Sequence, residues 1–351
     1  MTDEKPGGPT AARRASVAML PGDLGLTWRP LSTADVDALY ELIVTMEVAD
    51  EQPYRTSHAE VEEIFEGDWK DIPADTVAGV DADGVLRAYA CLEARPGDET
   101  TQRVFVMGGV HPLSRGAGVG RALVAWMTRR AKDILEASDK DVSGRIAAYL
   151  EDTSPSHWHL YEAAGYQANR FYSNLRRDLR EPVRHPELDG GLRIAPWSEE
   201  LDDAVRLAHN DAFRDHWGSE PATPESWAQG RSMFAPAWSF VALDDSAGTP
   251  DVAAYLLSGR YEQDWPVAGY SSGYIETLGV RREYRGRKLA VALLGAAMEA
   301  YKASGMEYAE LDVDTDNPSG AFGLYSTLGF TKAQGSRMYS IEVERVGVPL
   351  A

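Results

Sequence analysis

Two α/β domains in tandem are the architecture this sequence predicts, and three observations predict it. Strand-like and helix-like patterns alternate along 351 residues, a length that suits two ordinary domains. The order of patterns then starts again. Gly25 matches Gly191 at an offset of 166, Arg115 matches Arg285 at 170, and Tyr161 matches Tyr325 at 164, with Gly165-Tyr166 falling on Gly329-Phe330. An almost constant offset over the full length marks duplication of one domain rather than a short-period solenoid. Finally, each half sets a basic, glycine-bearing turn between a strand pattern and a long helix pattern.

The elements follow in order. After a lead-in over 1–20, expected to be disordered, GLTWRP reads as a strand, and Ser32 stands three residues before Asp35 at a helix start. DVDALYELIV places Val36, Leu39, Leu42 and Ile43 on one helix face. HAEVEEIFE is a second helix, and TVAGV, a DADG turn and VLRAYACLEA make a hairpin. QRVFVMGGV leads into HPLSRGAGVGRALVAWMTRRAKDI, GRIAAYLED is a further strand, and SPSHWHLYEAAGY a short helix. The first domain is expected over 21–180. A charged linker with prolines and a Gly pair follows at 181–191, and the second domain at 192–351. There GLRIAP is a strand, Ser198 caps EELDDAVRLAHNDAF, and Thr223-Pro224 opens another helix. WSFVALDDSAGTPDVAAYLLSG is the second hairpin, and Ser272 to Phe330 runs strand, turn, helix, strand and short helix.

Composition narrows the function. With 55 acidic and 35 basic residues the net charge is −20, the wrong balance for a nucleic-acid binder. This charge either keeps the protein soluble or gives an acidic mouth that attracts a cationic acceptor such as an amine. No apolar run approaches a bilayer span and no secretory leader is evident, so a cytoplasmic protein is expected. The single cysteine, Cys91, lies in an alternating run and reads as a buried strand thiol. No Ser/His/Asp arrangement or Walker loop is present, and no metal site is expected.

The chemistry is written in the turns. In Arg115-Gly116-Ala117-Gly118-Val119-Gly120, the glycines let backbone N–H groups converge on an anion at a helix N-terminus. Arg-x-x-Gly-x-Gly after a strand, followed later by LYEAAGY (160–166) and LYSTLGF (324–330), resembles the GCN5-related N-acetyltransferase (GNAT) family. The resemblance covers both halves. The tandem layout and the 211–227 segment are similar to mycothiol-synthase-like actinobacterial acetyltransferases.

That resemblance implies, for each domain, a mixed, mostly antiparallel sheet flanked by helices, with the fourth and fifth strands splayed around acetyl-CoA. It implies direct transfer of acetyl to a primary amine of a small molecule, antibiotic or peptide, or to the amine of a cysteinyl thiol precursor. The cofactor contacts it implies in the first half are Arg115, Gly116, Gly118, Val119, Gly120 and Arg121. In the second half they are Leu278, Val280, Arg285, Gly286, Arg287, Lys288 and Ala290, with Asn317 on the pantetheine arm. Glu276, four residues before Val280, takes the place of the family's general base, and Tyr325 that of the thiolate-protonating tyrosine.

The first half keeps Tyr161 but has Val106 four before Val110, and Thr153 where the second has Asn317. Chemistry is therefore expected in the second domain, with the first binding acetyl-CoA in a structural or regulatory role. Lys288 stands where the first turn has Gly118, and either reaches a phosphate or obstructs the loop. His216 and Trp217 fall where the acceptor pocket is expected; Trp217 is either a substrate wall or a core aromatic. Asp312, Asp314 and Asp316 share one strand face, solvated or holding an ammonium group. The competing reading is a non-catalytic acyl-CoA sensor, which needs no acid and base. Monomer and homodimer both remain open.

Overall fold

Two helix starts fold as their sequences direct, whereas Ser198 precedes a short 3-10 turn and makes no side-chain capping bond to it. Ser32 donates to Asp35 Oδ2 from both its backbone N (2.8 Å) and its Oγ (2.9 Å), and Thr223 Oγ1 accepts from Ser226 N at 3.2 Å with Pro224 at the first helical position. The computed structural model describes residues 20–316 and 321–346, so most of the lead-in and Asn317 lie outside the described residues. The first half comprises β1 (Thr27–Arg29), α1 (Val36–Ala49), α2 (His58–Glu63), β2 (Thr76–Val80), β3 (Leu86–Glu93) and β4 (Thr101–Val110). It continues through α3 (Val119–Glu136), β5 (Ser143–Glu151), α4 (Pro155–Ala163) and β6 (Gln167–Asp178). The second half repeats the order with β7 (Leu192–Pro196), α5 (Asp202–Ala212), α6 (Pro224–Ala228), β8 (Phe240–Asp244), β9 (Asp251–Gly259) and β10 (Ser272–Val280). Then come α7 (Leu289–Ala303), β11 (Tyr308–Asp314), α8 (Ala321–Thr327) and β12 (Thr331–Val343).

All of these strands join one 12-stranded sheet in the order β1-β2-β3-β4-β5-β12-β6-β11-β10-β9-β8-β7. The final strand of each half thus sits inside the sheet of the other. β12 pairs with β5 from Ser336↔Glu151 to Val343↔Gly144, and β6 pairs with β11 from Tyr308↔Asp178 to Asp314↔Tyr172. Between them β6 and β12 run antiparallel.

The cores follow the exchange. Tyr339 and Val343 of β12 are buried with Leu123, Met127 and Ile146 of the first half. Leu175 and Leu179, from the end of the first half, are buried with Leu293, Met298 and Tyr301 of the second. Each such side chain contributes about 1.5–3 kcal/mol of burial to the half it does not belong to in sequence. The buried Arg177 of β6 reaches further. Its Nε donates to Leu328 O at 2.6 Å, capping the end of the segment that carries Tyr325.

Strand alternation puts α3 and α7 on one face of the sheet and α1 and α5 on the other. The parallel pairs are short. β4 and β5 pair from Thr101↔Ser143 to Phe105↔Ala147, and β10 and β11 from Ser272↔Tyr308 to Ile275↔Leu311. Beyond those points the strands part, so in each half a cleft opens toward the following turn.

Because the two cores share strands, they should unfold together. Leu175→Ala is expected to destabilise the whole chain by about 2–5 kcal/mol. In scanning calorimetry it should shift one transition; a second transition left at the wild-type temperature would show that the halves melt independently.

Candidate active site

The two glycine-bearing turns ahead of α3 and α7 have the same backbone. Gly116 and Gly118 take φ of 80° and 91°, and Gly286 and Lys288 take 79° and 63°. Lys288 therefore adopts the left-handed conformation of the glycine it replaces, at a cost of roughly 1–2 kcal/mol for a side-chain-bearing residue. The turn keeps its backbone conformation, and the Lys288 side chain is exposed. A methyl group built on Gly116 or Gly286 would meet nothing within 4 Å, so the outer face of each turn is open to a phosphate. Val119 and Leu289 anchor the helix starts in the cores. Gly120 lies against Leu160, Ala290 is its small counterpart, and Arg121 is exposed.

The arginines differ. Arg115 is held bidentately by Asp50, at 2.5 and 2.9 Å, while its Nε donates to Val110 O. A phosphate at the first turn must compete with that carboxylate. Arg285 donates to the Ala212 carbonyl at 2.8 Å, and among the described residues Arg285, Arg287 and Lys288 have no carboxylate salt bridge. The second turn keeps its positive charge available.

Glu276 stands where the cleft begins. It is the first residue of β10 past the last pair with β11, and on its other edge the register with β9 shifts between Ile275 and Thr277. This bulge leaves Glu276 without a cross-strand partner and turns its side chain into the cleft. The first half has no such irregularity between β3 and β4 around Val106. Tyr261 Oη donates to Glu276 Oε1 at 2.6 Å. Glu276 retains water access but is surrounded by protein at the cleft floor, and this partial desolvation pushes its pKa up to about 7. Tyr261 opposes the rise, while the nearby acids Glu60 and Asp312 add to it. Gly259 makes the arrangement possible, since a Cβ there would collide with both Glu276 Oε1 and the Tyr261 ring.

Tyr325 is buried on α8, edge-on to Phe330 at 5.7 Å, and burial pushes its hydroxyl up to about 12. Leu278 and Val280 line the strand between Glu276 and the turn and pack on the second core. Trp217 lies elsewhere. Its ring is sandwiched between Arg145 and Arg170, each 4.0 Å from the ring centroid, over strands of the first half. His216 sits beside it, edge-on to Phe213. The same loop delivers Glu220 to the backbone N–H groups of Glu99, Thr100 and Thr101.

Asp264 and Glu151, which pattern reading does not single out, join Asp312 in the cleft. Asp264 accepts from the backbone N of Arg55 at 2.7 Å, and burial followed by the neighbouring acids Glu60 and Glu47 leaves it at about 7. Glu151, at the end of β5, is likewise raised to about 7 by burial and then by Asp312. Asp312 is raised by burial, moderated by Tyr274 and Asn174, whereas Asp314 is buried. These groups come from both halves, and only the exchanged sheet brings them together. Among the described residues no group of acids, histidines or cysteines is arranged to hold a metal ion.

A splayed parallel strand pair, an open amide turn at a helix N-terminus and a carboxylate at the fork define an acyl-CoA-dependent transferase. Comparison with known proteins identifies the class more narrowly. Residues 203–330 match the acetyltransferase (GNAT) family. The chain is 31% identical over 261 residues to the mycothiol acetyltransferase of Thermobispora bispora, covering 72% of this chain and 79% of that protein. With the mycothiol acetyltransferase of Frankia alni it shares 28% over 326 residues, or 89% and 93% of the two chains. The GCN5-related N-acetyltransferase of Sphaerobacter thermophilus superimposes with a TM-score of 0.67 at 27% identity, covering 94% of this chain and 99% of that one. A tandem GNAT protein from the clavulanic acid biosynthesis pathway does so at 0.62 and 18%, covering 90% and 98%. The chain belongs to the GNAT acetyltransferase family, and it is an acetyl-CoA-dependent enzyme of tandem architecture.

Two outcomes follow from this geometry. Gly259→Ala should displace Glu276 and lower kcat by about 10-fold or more while acetyl-CoA still binds, as read by steady-state kinetics and calorimetric titration. Lys288→Gly should gain about 1 kcal/mol of stability by relieving the left-handed strain. If the Lys288 ammonium also contacts a phosphate, the same variant will bind acetyl-CoA more weakly in that titration.

Proposed function

We propose that the second half transfers the acetyl group of acetyl-CoA to a primary amine, with Glu276 as general base and Tyr325 as the proton donor to the departing thiolate. The observation that carries this reading is the bulge that places Glu276, at a pKa of about 7, at the fork of β10 and β11. An alkylammonium must lose a proton before attack, and a base titrating near the working pH is suited to take it. Tyr325, raised to about 12, keeps its proton at neutral pH and can give it to sulfur. The backbone of the second turn and the Arg285, Arg287 and Lys288 side chains would hold the pyrophosphate, and Leu278 and Val280 the pantetheine. Acetyl-CoA supplies an activated thioester, so no covalent acyl-enzyme is required. The first half keeps a turn of the same shape, but its Arg115 is engaged by Asp50 and it has Val106 in place of the base. Its part is to complete the acceptor cleft.

The acceptor in this reading is cationic. Glu60 and Asp312 act on Glu276, Asp264 neighbours Glu60 and Glu151 neighbours Asp312, and this acidic cluster favours a protonated amine entering from solvent. The mycothiol acetyltransferases among its relatives make the amine of a cysteinyl thiol precursor the first candidate, with amino sugars and peptide N-termini beside it. Thiol release from acetyl-CoA across such a panel tests the proposal. Wild-type kcat/KM should fall as pH drops through about 7, because protonated Glu276 cannot accept a proton. Glu276→Gln should lose about 10²–10⁴-fold and lose that acid limb with it. Retention of activity in this variant would remove Glu276 from the mechanism.

A further inference from the structure

The reading of Glu276 as base leaves open what holds its carboxylate in place. β10 itself does not, because the bulge deprives that residue of a cross-strand neighbour. Tyr261 is the group that does. Its hydroxyl donates to Oε1 at 2.6 Å, its ring stands edge-on to Tyr274 with centroids 5.6 Å apart, and the bare Gly259 gives both side chains their room. A short bond from a neutral hydroxyl to one carboxylate oxygen fixes the rotamer of Glu276 and leaves Oε2 for the acceptor. The Tyr261 hydroxyl is pushed well above the ordinary tyrosine range by burial and by Glu276 itself, so it stays a donor at every working pH.

Tyr261 lies just past the end of β9, in a turn closed by Asp264 N donating to Tyr261 O at 3.1 Å. Within the second half, Arg260 N donates to Met233 O at 2.8 Å. Gln263 Nε2 also reaches Met233 Sδ at 3.5 Å, and further ties come from the first half. The backbone N of Arg55 donates to Asp264 Oδ1 at 2.7 Å, and Gln263 Nε2 donates to Glu60 Oε2 at 3.1 Å. Ser232 N donates to Glu63 Oε1 at 2.6 Å, securing the neighbouring loop. Glu60 is itself fixed, because its Oε2 accepts from Ser57 N at 2.8 Å in the capping box that starts α2. The start of α2 therefore clamps residues 261–264 from above.

We propose that Tyr261 is the positioning residue for the base Glu276, and that the Arg55–Glu60 segment of the first half holds Tyr261 in register. The second half's chemistry then depends on the first half through this clamp. The proposal rests on the assignment of Glu276 as base, but it makes a separate claim about the carboxylate itself. The groups facing Glu276 are Glu60 from α2, Asp312 from β11, Tyr261 from the segment after β9, and Tyr274 and Tyr301 from β10 and α7. The two acids disfavour its charged form and the Tyr261 hydroxyl favours it, so two substitutions move its titration in opposite directions.

The test is a pH titration of the Glu276 carboxyl carbon in full-length protein labelled with ¹³C-glutamate, the resonance being assigned by its loss in Glu276→Gln. No acceptor is needed. In Tyr261→Phe the midpoint should rise by about one pH unit, the ring remaining while the donated bond is lost. In Glu60→Gln, where the amide oxygen can still accept from Ser57 and Gln263, the midpoint should fall as a like charge disappears. Steady-state kinetics on the panel amine with the highest turnover should show Tyr261→Phe lowering kcat by about 10-fold near pH 7, with KM for acetyl-CoA unchanged. If the Glu276 midpoint is the same in wild type and Tyr261→Phe, the positioning role is refuted, whatever the activity of Glu276→Gln. If Glu276→Gln keeps the acid limb while the midpoints move as stated, the base assignment fails and the contact stands. Should Tyr261→Phe melt below the assay temperature, the Glu60→Gln midpoint decides: unchanged, it shows that the first half does not act on Glu276.

Discussion

The antiparallel pairing of β6 with β12 is the contact on which the rest of this molecule depends. It is made by the last strand of each half, and each of those strands continues into the sheet of the other half. Neither core is complete without a strand donated by its neighbour. The exchange converts two sheets into one and orients both cofactor-side helices to the same face. It also brings Arg55 and the start of α2 of the first half against residues 263–264 of the second. A cleft with walls from both halves is a consequence of that pairing rather than of a flexible approach of two domains.

Within this pseudo-symmetric frame, small departures distinguish the two halves. Both turns keep the backbone that suits a pyrophosphate, and Lys288 tolerates a left-handed conformation to do so. Asp50 claims Arg115 in the first half, whereas among the described residues no acid claims Arg285, which donates to the Ala212 carbonyl. The bulge and the carboxylate occur together at Glu276, and neither occurs at Val106. Reciprocal loops then cross the centre. The loop carrying Trp217 packs over the first half between Arg145 and Arg170, and the Arg55–Glu60 segment packs over the second. The same architecture thus yields one face sealed by an aromatic side chain and one lined by acids.

Much of this was legible in the residues. The repeat, the hairpins, the two turns and the contrast of Glu276 with Val106 all follow from local pattern, because turns, caps and amphipathic periods are decided within a few residues. β6 and β12 were harder to see. Ser173 and Arg177 alternate with Leu175 on the buried face of β6, and β12 buries Met338, Tyr339 and Ser340 in succession, so neither strand shows a clean period of two. Strands at the centre of a sheet, covered by different partners on each face, lose that signal. Tyr261, Gly259, Asp264 and Glu60 were equally silent, since each is an ordinary residue type at an ordinary spacing.

The sequence by itself determined that the chain is a duplicated α/β protein with two basic, glycine-bearing turns, each ahead of a long helix, and that one half carries a carboxylate the other lacks. Those features are encoded by residues near one another along the chain. Tertiary structure alone decided which strands share a core, where Trp217 lies, and what surrounds Glu276. These depend on contacts between residues as far apart as Glu60 and Gln263. A hydrogen bond or a like-charge repulsion at that separation leaves no local pattern, and it exists only once the exchanged strands have drawn the two halves together.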